Sequence, residues 1–277
     1  MHKTENKTAA ATGMLRRLRE DGFEPVKQTL RRIFSITEDA AAHEEIRERL
    51  LSGGKVTGTN MCVMICAIVI ASVGLNTDSV AVIIGAMLIS PLMGSILAIA
   101  YGSVSNNAPL VRRHAIGFAF QIVISVLTAV IYFALTPIKT ATAQLIARTQ
   151  PTFFDVLIAI AGGIAGIIGQ TRKDKANNII LGVAIATALM PPLCTCGYAI
   201  ATHQWAMLGG AAYLFAINTY FIFFSASVVL SLLRIPRVQE MTAAQWKKLR
   251  RRMIRNTILI VLPSIAITII MVLTQNA

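Results

Sequence analysis

The sequence predicts an all-α polytopic membrane protein of seven transmembrane helices. Six form an inverted three-plus-three repeat with proline-broken second and fifth helices, and one helix is extra. Three observations predict this. Of 277 residues, 55% are hydrophobic and 14% charged, with mean hydropathy +0.64, too apolar and charge-poor for a soluble domain. Apolar runs near the roughly 20 residues of a spanning helix recur after residue 58, without the alternation of β-barrel strands. Basic residues collect between alternate runs, as topology signals do.

Residues 1–58 read as a cytoplasmic N-terminal helical region. Leu15, Leu18, Val26, Leu30, Ile33 and Phe34 give a first pattern, interrupted by Asp21-Gly22 and Pro25. A second opens on Ser35 with Glu38 three residues on, a capping box; Ile36, Ile46 and Leu50 are its apolar face, and Ser52-Gly53-Gly54 ends it. Three uses are open for this segment: a cap on the bundle, an oligomer contact or an interfacial anchor.

The six-helix core covers 59–235, with repeat halves 59–137 and 152–235. Its spans fall at about 60–76, 79–104, 114–136, 153–170, 178–201 and 205–233. A basic interfacial link helix follows at 236–255, with Trp246, Leu249 and Met253 on one face. Its partners are anionic lipids at Arg250, Arg251 and Arg252. The seventh helix occupies 256–277. With the N-terminus in the cytoplasm, 24 of the 26 Lys and Arg face inward and only Lys139 and Arg148 lie outside, which orients a multi-pass cell inner membrane protein. The net charge of +13 is thereby a matter of topology and not of nucleic acid. Cys62, Cys66, Cys194 and Cys196 fall within spans and read as packing residues, with no metal site.

The halves repeat in outline. Spans one and four are short, three and six are long, and two and five carry proline at mid-depth. Aligning Pro91 with Pro191 sets Asp78 opposite Asn178. Three spans are an odd number, so the second copy enters from the opposite side, as in many secondary transporters. Ser90-Pro91 reads as N-cap and first helical residue, and Pro191-Pro192 starts a second half-helix. Two such starts near the midplane aim bare N–H groups at a shared site for an anionic or polar ligand. The alternative is two kinked, continuous helices. Ser90, Pro91, Pro191 and Pro192 shape the site, with Gln121, Thr187 and Asn218 beside it; Ser125, Thr195 and Thr219 are further polar residues at depth. Asp78 and Asp155 read as carboxylates at helix N-termini or as an outer gate. Ala86, Ser90, Gly94, Ala98 and Gly102 in span two, and Gly162 and Gly166 in span four, form small-residue stripes for close helix contact and for a homo-oligomer.

Gly53-Gly54-Lys55-Val56 lacks the spacing and hydroxyl of a nucleotide-binding loop, and His43-Glu44-Glu45-Ile46-Arg47 lacks the second histidine of a zinc protease. No cofactor and no enzymatic activity are expected.

The stretch Gly74-Leu75-Asn76-Thr77-Asp78-Ser79-Val80-Ala81-Val82-Ile83-Ile84-Gly85-Ala86-Met87-Leu88-Ile89-Ser90-Pro91-Leu92-Met93-Gly94 resembles the first motif of the prokaryotic hydrophobic integral membrane proteins catalogued as domain of unknown function 389. Ala188-Leu189-Met190-Pro191-Pro192-Leu193 is similar to the second. The resemblance covers about residues 60–235 and implies a multi-span membrane protein, but no substrate and no functional residues. Two functions are expected from the residues themselves. One is a secondary transporter or channel-like permease for a small anionic or polar solute bound near the midplane. The other is a non-transporting scaffold or assembly factor that recruits partners through its N-terminal helices and basic link.

Overall fold

A computed structural model divides the chain into two units, Met1–Ala40 and Ala41–Ala277. It describes residues 40–173 and 178–238, the side chains of 178–188 aside, and then 247, 251, 255–259, 262, 263, 265 and 269. The expectations for residues 1–39, for Arg250 and Arg252, and for most of the link and seventh span lie outside the described residues.

Among the described residues the elements are helices: α1 His43–Gly53, α2 Gly58–Asn76, α3 Val80–Leu88, α4 Leu92–Val104, α5 Ala108–Leu135, α6 Ala143–Ala147, α7 Phe153–Thr171, α8 Asn178–Ala201 and α9 Trp205–Leu232. Four of them, α2, α5, α7 and α9, are long and apolar enough to cross a membrane, and α3 with α4 makes a fifth candidate span bent by 49°. Helix α8 is apolar over its described half, Leu189–Ala201. These apolar helices make the chain a multi-pass membrane protein.

Local chemistry sets the ends. Thr57 caps α2 by accepting from Asn60 N at 3.3 Å, and Asn107 caps α5 by accepting from Leu110 N at 3.1 Å. That cap, with Pro109 in the first turn, starts α5 six residues before the expected position 114, so Arg112 and Arg113 are helical and not a loop. Four turns place a non-glycine residue in the left-handed region: Asp78 (φ 55°), Asn106 (φ 54°), His203 (φ 58°) and Arg234 (φ 54°). Each closes a helix with a bond from the following N–H to the carbonyl five residues earlier, as in Asn107 N to Gly102 O at 2.9 Å and Gln204 N to Ala199 O at 2.8 Å.

Helix lengths recur in order. Helices α2 and α7 both have 19 residues, and α5 and α9 both have 28. Helix α2 packs on α3 and α5, as α7 packs on α8 and α9; α4 packs on α5 and α9, as α8 packs on α9 and α5. Exchanging the halves leaves this set of pairs unchanged, the α2–α8 contact excepted. The matching turns at 105–107 and 202–204 set a register of their own, with Leu92-Met93 on Leu189-Met190 and Tyr101 on Tyr198. It differs by three residues from the alignment of Pro91 with Pro191, because the turns and not the prolines fix the hairpins.

Close approaches fall at glycine. A Cβ on Gly163 of α7 would lie 2.0 Å from Ser225 Oγ and 2.9 Å from the Ile222 backbone of α9. The span-two stripe divides its contacts: Gly94 and Ala98 meet Gly53 and Gly54, and Gly102 meets Val111. Helix α1 therefore rests on α4, burying Ile46 and Leu50, two members of the expected apolar face. It lies at the end of the bundle where Ala41 N donates to Thr171 O at 2.7 Å, and His114 Nδ1 lies 3.0 Å from Gly54 O.

Candidate functional site

The second span breaks where it was expected to. Helix α3 closes with the N–H groups of Ile89 and Ser90 donating three residues back, to Ala86 O and Met87 O at 3.3 Å each. Pro91 has no N–H to continue the ladder, and α4 resumes at Leu92. The capping differs from expectation by one residue. Pro91, at φ −84° and ψ 1°, holds the cap position itself, and no side chain caps α4. Ser90 Oγ is buried without a hydrogen-bond partner, and the first N–H groups of α4 have no side-chain acceptor.

The fifth span is not broken, which corrects the expected half-helix at Pro191-Pro192. Helix α8 runs from Asn178 through both prolines to Ala201. Packing explains this. Helices α2, α3, α4, α5, α7 and α9 all contact α8, and Leu189, Met190, Leu193, Cys194, Tyr198 and Ala199 are at most 2% exposed. A helix enclosed by protein on every side keeps its course despite two lost donors. The loss still leaves the carbonyls of residues 187 and 188 without their usual donors four residues on.

Both interruptions lie at one depth. The C-terminus of α8 and the N-terminus of α3 share the end opposite α1, where Tyr198 OH donates to Lys139 O at 2.7 Å and Asn76 Nδ2 donates to Thr136 Oγ1 at 2.9 Å. Ser90 stands ten residues in from Val80 and Pro191 ten residues in from Ala201. At the helical rise this is about 15 Å from the rim.

Gln121 and Asn218 are each the 14th residue of a 28-residue helix, and both are buried, at 1% and 3% exposure. Gln121 Oε1 accepts from Ser95 Oγ at 2.8 Å, which ties it to α4 four residues after Pro91. Its Nε2 is buried without a partner, as are Thr195 Oγ1, four residues after Pro191, and Thr219 Oγ1. Ser125 Oγ donates to Met64 Sδ at 3.4 Å and is spent on packing. The side chain of Thr187 lies outside the described residues. The structure thus ties Gln121 to α4 through Ser95, four residues after Pro91, and puts Pro191 and Pro192 on the helix that packs against α3 and α4.

The acidic residues have structural partners. Asp155 Oδ2 accepts from Thr152 N and Oγ1 at 2.7 and 2.8 Å, in keeping with a carboxylate at a helix N-terminus. Asp78 lies in the left-handed turn after α2 and accepts from Gln144 N at 3.1 Å, so its carboxylate serves the first turn of α6 and not that of α3. Cys194 and Cys196 are buried as expected of packing residues, whereas Cys62 and Cys66 face outward. The polar set is therefore made of hydroxyls, two carboxamides and main-chain groups, which offer hydrogen bonds and the dipole of a helix end.

The chain is 29% identical over 172 residues to an uncharacterized protein of Methanocaldococcus jannaschii; the match covers 62% of this chain and 53% of that protein. The chain thus spans about half the length of the relative it matches. No solved structure matches it. The profile of a family described as a domain of unknown function (DUF389) matches residues 87–224, from the last turn of α3 to the middle of α9, and the chain belongs to that family.

Proposed function

We propose that the chain is a secondary transporter or channel-like permease for a small anionic or polar solute, held near mid-depth between the broken second span and the intact fifth. One observation carries this: the break at Ser90-Pro91 leaves Ser90 Oγ buried and unpartnered, and Gln121, bonded to Ser95 of the helix that follows the break, keeps a buried and unpartnered Nε2. A bundle built only for packing gains nothing from such atoms, each of which costs about 1–3 kcal/mol unpaired. A solute that passes through supplies the missing partners. The recurrence of helix lengths and packed pairs supports two halves of three spans, and the odd number in each makes the second copy inverted. Arg47, Arg49, Arg112, Arg113 and Arg172 lie at the α1 end, against Lys139 and Arg148 at the other, which supports a cytoplasmic N-terminus in an inner membrane. In this reading Arg251 and its neighbours meet anionic lipid, and the exposed apolar faces of α5 and α7 meet lipid or a second copy.

The test replaces Cys62, Cys66, Cys194 and Cys196, introduces Ser90→Cys or Thr187→Cys singly, and probes with a membrane-impermeant thiol reagent from each side. Labelling that a transported anion suppresses is the expected result. Absence of labelling from both sides, with no flux of inorganic or organic anions in liposomes, favours the scaffold and refutes the permease.

A further inference from the structure

The break in the second span leaves main chain unpaired as well as side chains. Among the described residues the carbonyls of Leu88, Ile89 and Ser90 accept no hydrogen bond, and the N–H groups of Leu92, Met93 and Gly94 donate none. Helix α3 packs chiefly on α2 and α8, and its last residues, Leu88 and Ile89, are 42% and 45% exposed. The end of α3 therefore lies at the outside of the described helices. Irregular main chain does not stand bare against lipid, which offers it neither donors nor acceptors.

The same side of the molecule carries outward residues that are small. Gly85 is exposed in the interior of α3, where glycine costs about 1 kcal/mol against alanine, and a Cβ there would meet nothing within 4 Å. No contact within the described residues requires a glycine at this position. On α2, Gly58, Cys62 and Cys66 follow at intervals of four, and both cysteines face outward. Helix α5 shows the contrast: its outward Ile116, Phe120, Val123, Leu127 and Ile131 are large and 51–61% exposed, as suits lipid. Small outward residues on two adjoining helices admit close approach by other helices. Between Gly58 and Ser90 the one charged residue is Asp78, in the outer turn, so the partner of this face is apolar and brings both donors and acceptors at the depth of the break. A second copy turned about an axis along the membrane normal meets that description, because it presents the same free carbonyls and N–H groups at the same depth.

We propose that the α2–α3 face is a homodimer interface in which the breaks of two copies cover one another. The pairing does not require that a solute cross.

Cys66 reports on this face. It stands ten residues in from Asn76, as Ser90 stands ten in from Val80, so its thiol is level with the break. The full chain with Cys62→Ser, Cys194→Ala and Cys196→Ala is spin-labelled at Cys66 and placed in phosphatidylcholine liposomes. The expected label is shielded from oxygen in the lipid and from a water-soluble nickel chelate, and couples to a second label until diluted with unlabelled chain. Gly85→Trp abolishes the coupling, whereas Val123→Trp on α5 preserves it. The chain with its native cysteines gives a second measurement: single-molecule counting in liposomes finds two copies, Gly85→Trp weakens the association by roughly tenfold or more, and the unfolding temperature in detergent stays that of wild type. A label open to oxygen puts lipid on this face, and one open to the chelate puts water there; either overturns the assignment. It is equally overturned by single copies of wild type in liposomes, or by coupling that Val123→Trp abolishes and Gly85→Trp does not.

Discussion

Gly94→Ala tests how α1 is held against the broken span. A Cβ at this position would fall 2.0 Å from the Gly53 carbonyl oxygen and 2.4 Å from its carbonyl carbon, where ordinary contact begins near 3.4 Å. Both partners are main chain, so no rotamer relieves the overlap, and the end of α1 must retreat by about 1.4 Å or leave. Retreat alone costs the about 1–3 kcal/mol typical of overpacking. Full release also uncovers Ile46 and Leu50, now 1% and 2% exposed, at about 1.5–3 kcal/mol each. It further breaks the 3.0 Å contact between His114 and Gly54 O, worth about 0.5–1.5 kcal/mol. The expected result is a lower unfolding temperature in detergent and faster hydrogen exchange confined to residues 43–54, with protection unchanged at 136–152. Gly58→Ala and Gly85→Ala are the controls, since a Cβ at either position meets nothing within 4 Å. If Gly94→Ala exchanges over 43–54 at the rate of these controls, the docking of α1 described above is wrong.

Three further outcomes follow from the packing and the caps. Gly163→Ala destabilises by about 1–3 kcal/mol in thermal unfolding, and adding Ser225→Ala recovers part of the loss, because Oγ at 2.0 Å is gone while the Ile222 backbone at 2.9 Å remains. Asn107→Ala removes the acceptor for Leu110 N and costs about 1 kcal/mol, with exchange rising first over residues 108–113; an unchanged start of α5 counts against the cap. Arg234→Gly relieves a left-handed residue at φ 54° and raises stability by about 0.5–1 kcal/mol, net of the entropy glycine adds to the unfolded chain; a lowered unfolding temperature contradicts the turn geometry.

Hydropathy made most of the fold readable, because a helix that must satisfy its own backbone in lipid announces itself by length. A helix runs over 178–201, where the fifth span was expected, and the helices of the fourth and sixth came within a residue at each end. The start of α5 was not readable from hydropathy, since Asn107 and Pro109 extend the helix into charged sequence around Arg112 and Arg113. The break at Pro91 was legible and the continuity at Pro191-Pro192 was not. Proline states only which donors are missing; whether the helix yields depends on the neighbours enclosing it, and α8 has neighbours on all sides. Gln121 and Asn218 were matched by position in the halves, and the equal helix lengths support that match.

The two left-handed turns at Asn106 and His203 bear on how the bundle moves. Each joins consecutive helices through three residues and is bonded back to the helix before it, so neither hairpin, α4–α5 or α8–α9, has slack with which to splay. The segment from 136 to 152 is far longer and crosses between the halves. Any motion of one half against the other therefore gathers in that crossing strap, and shortening it would slow such a motion even with both hairpins left untouched.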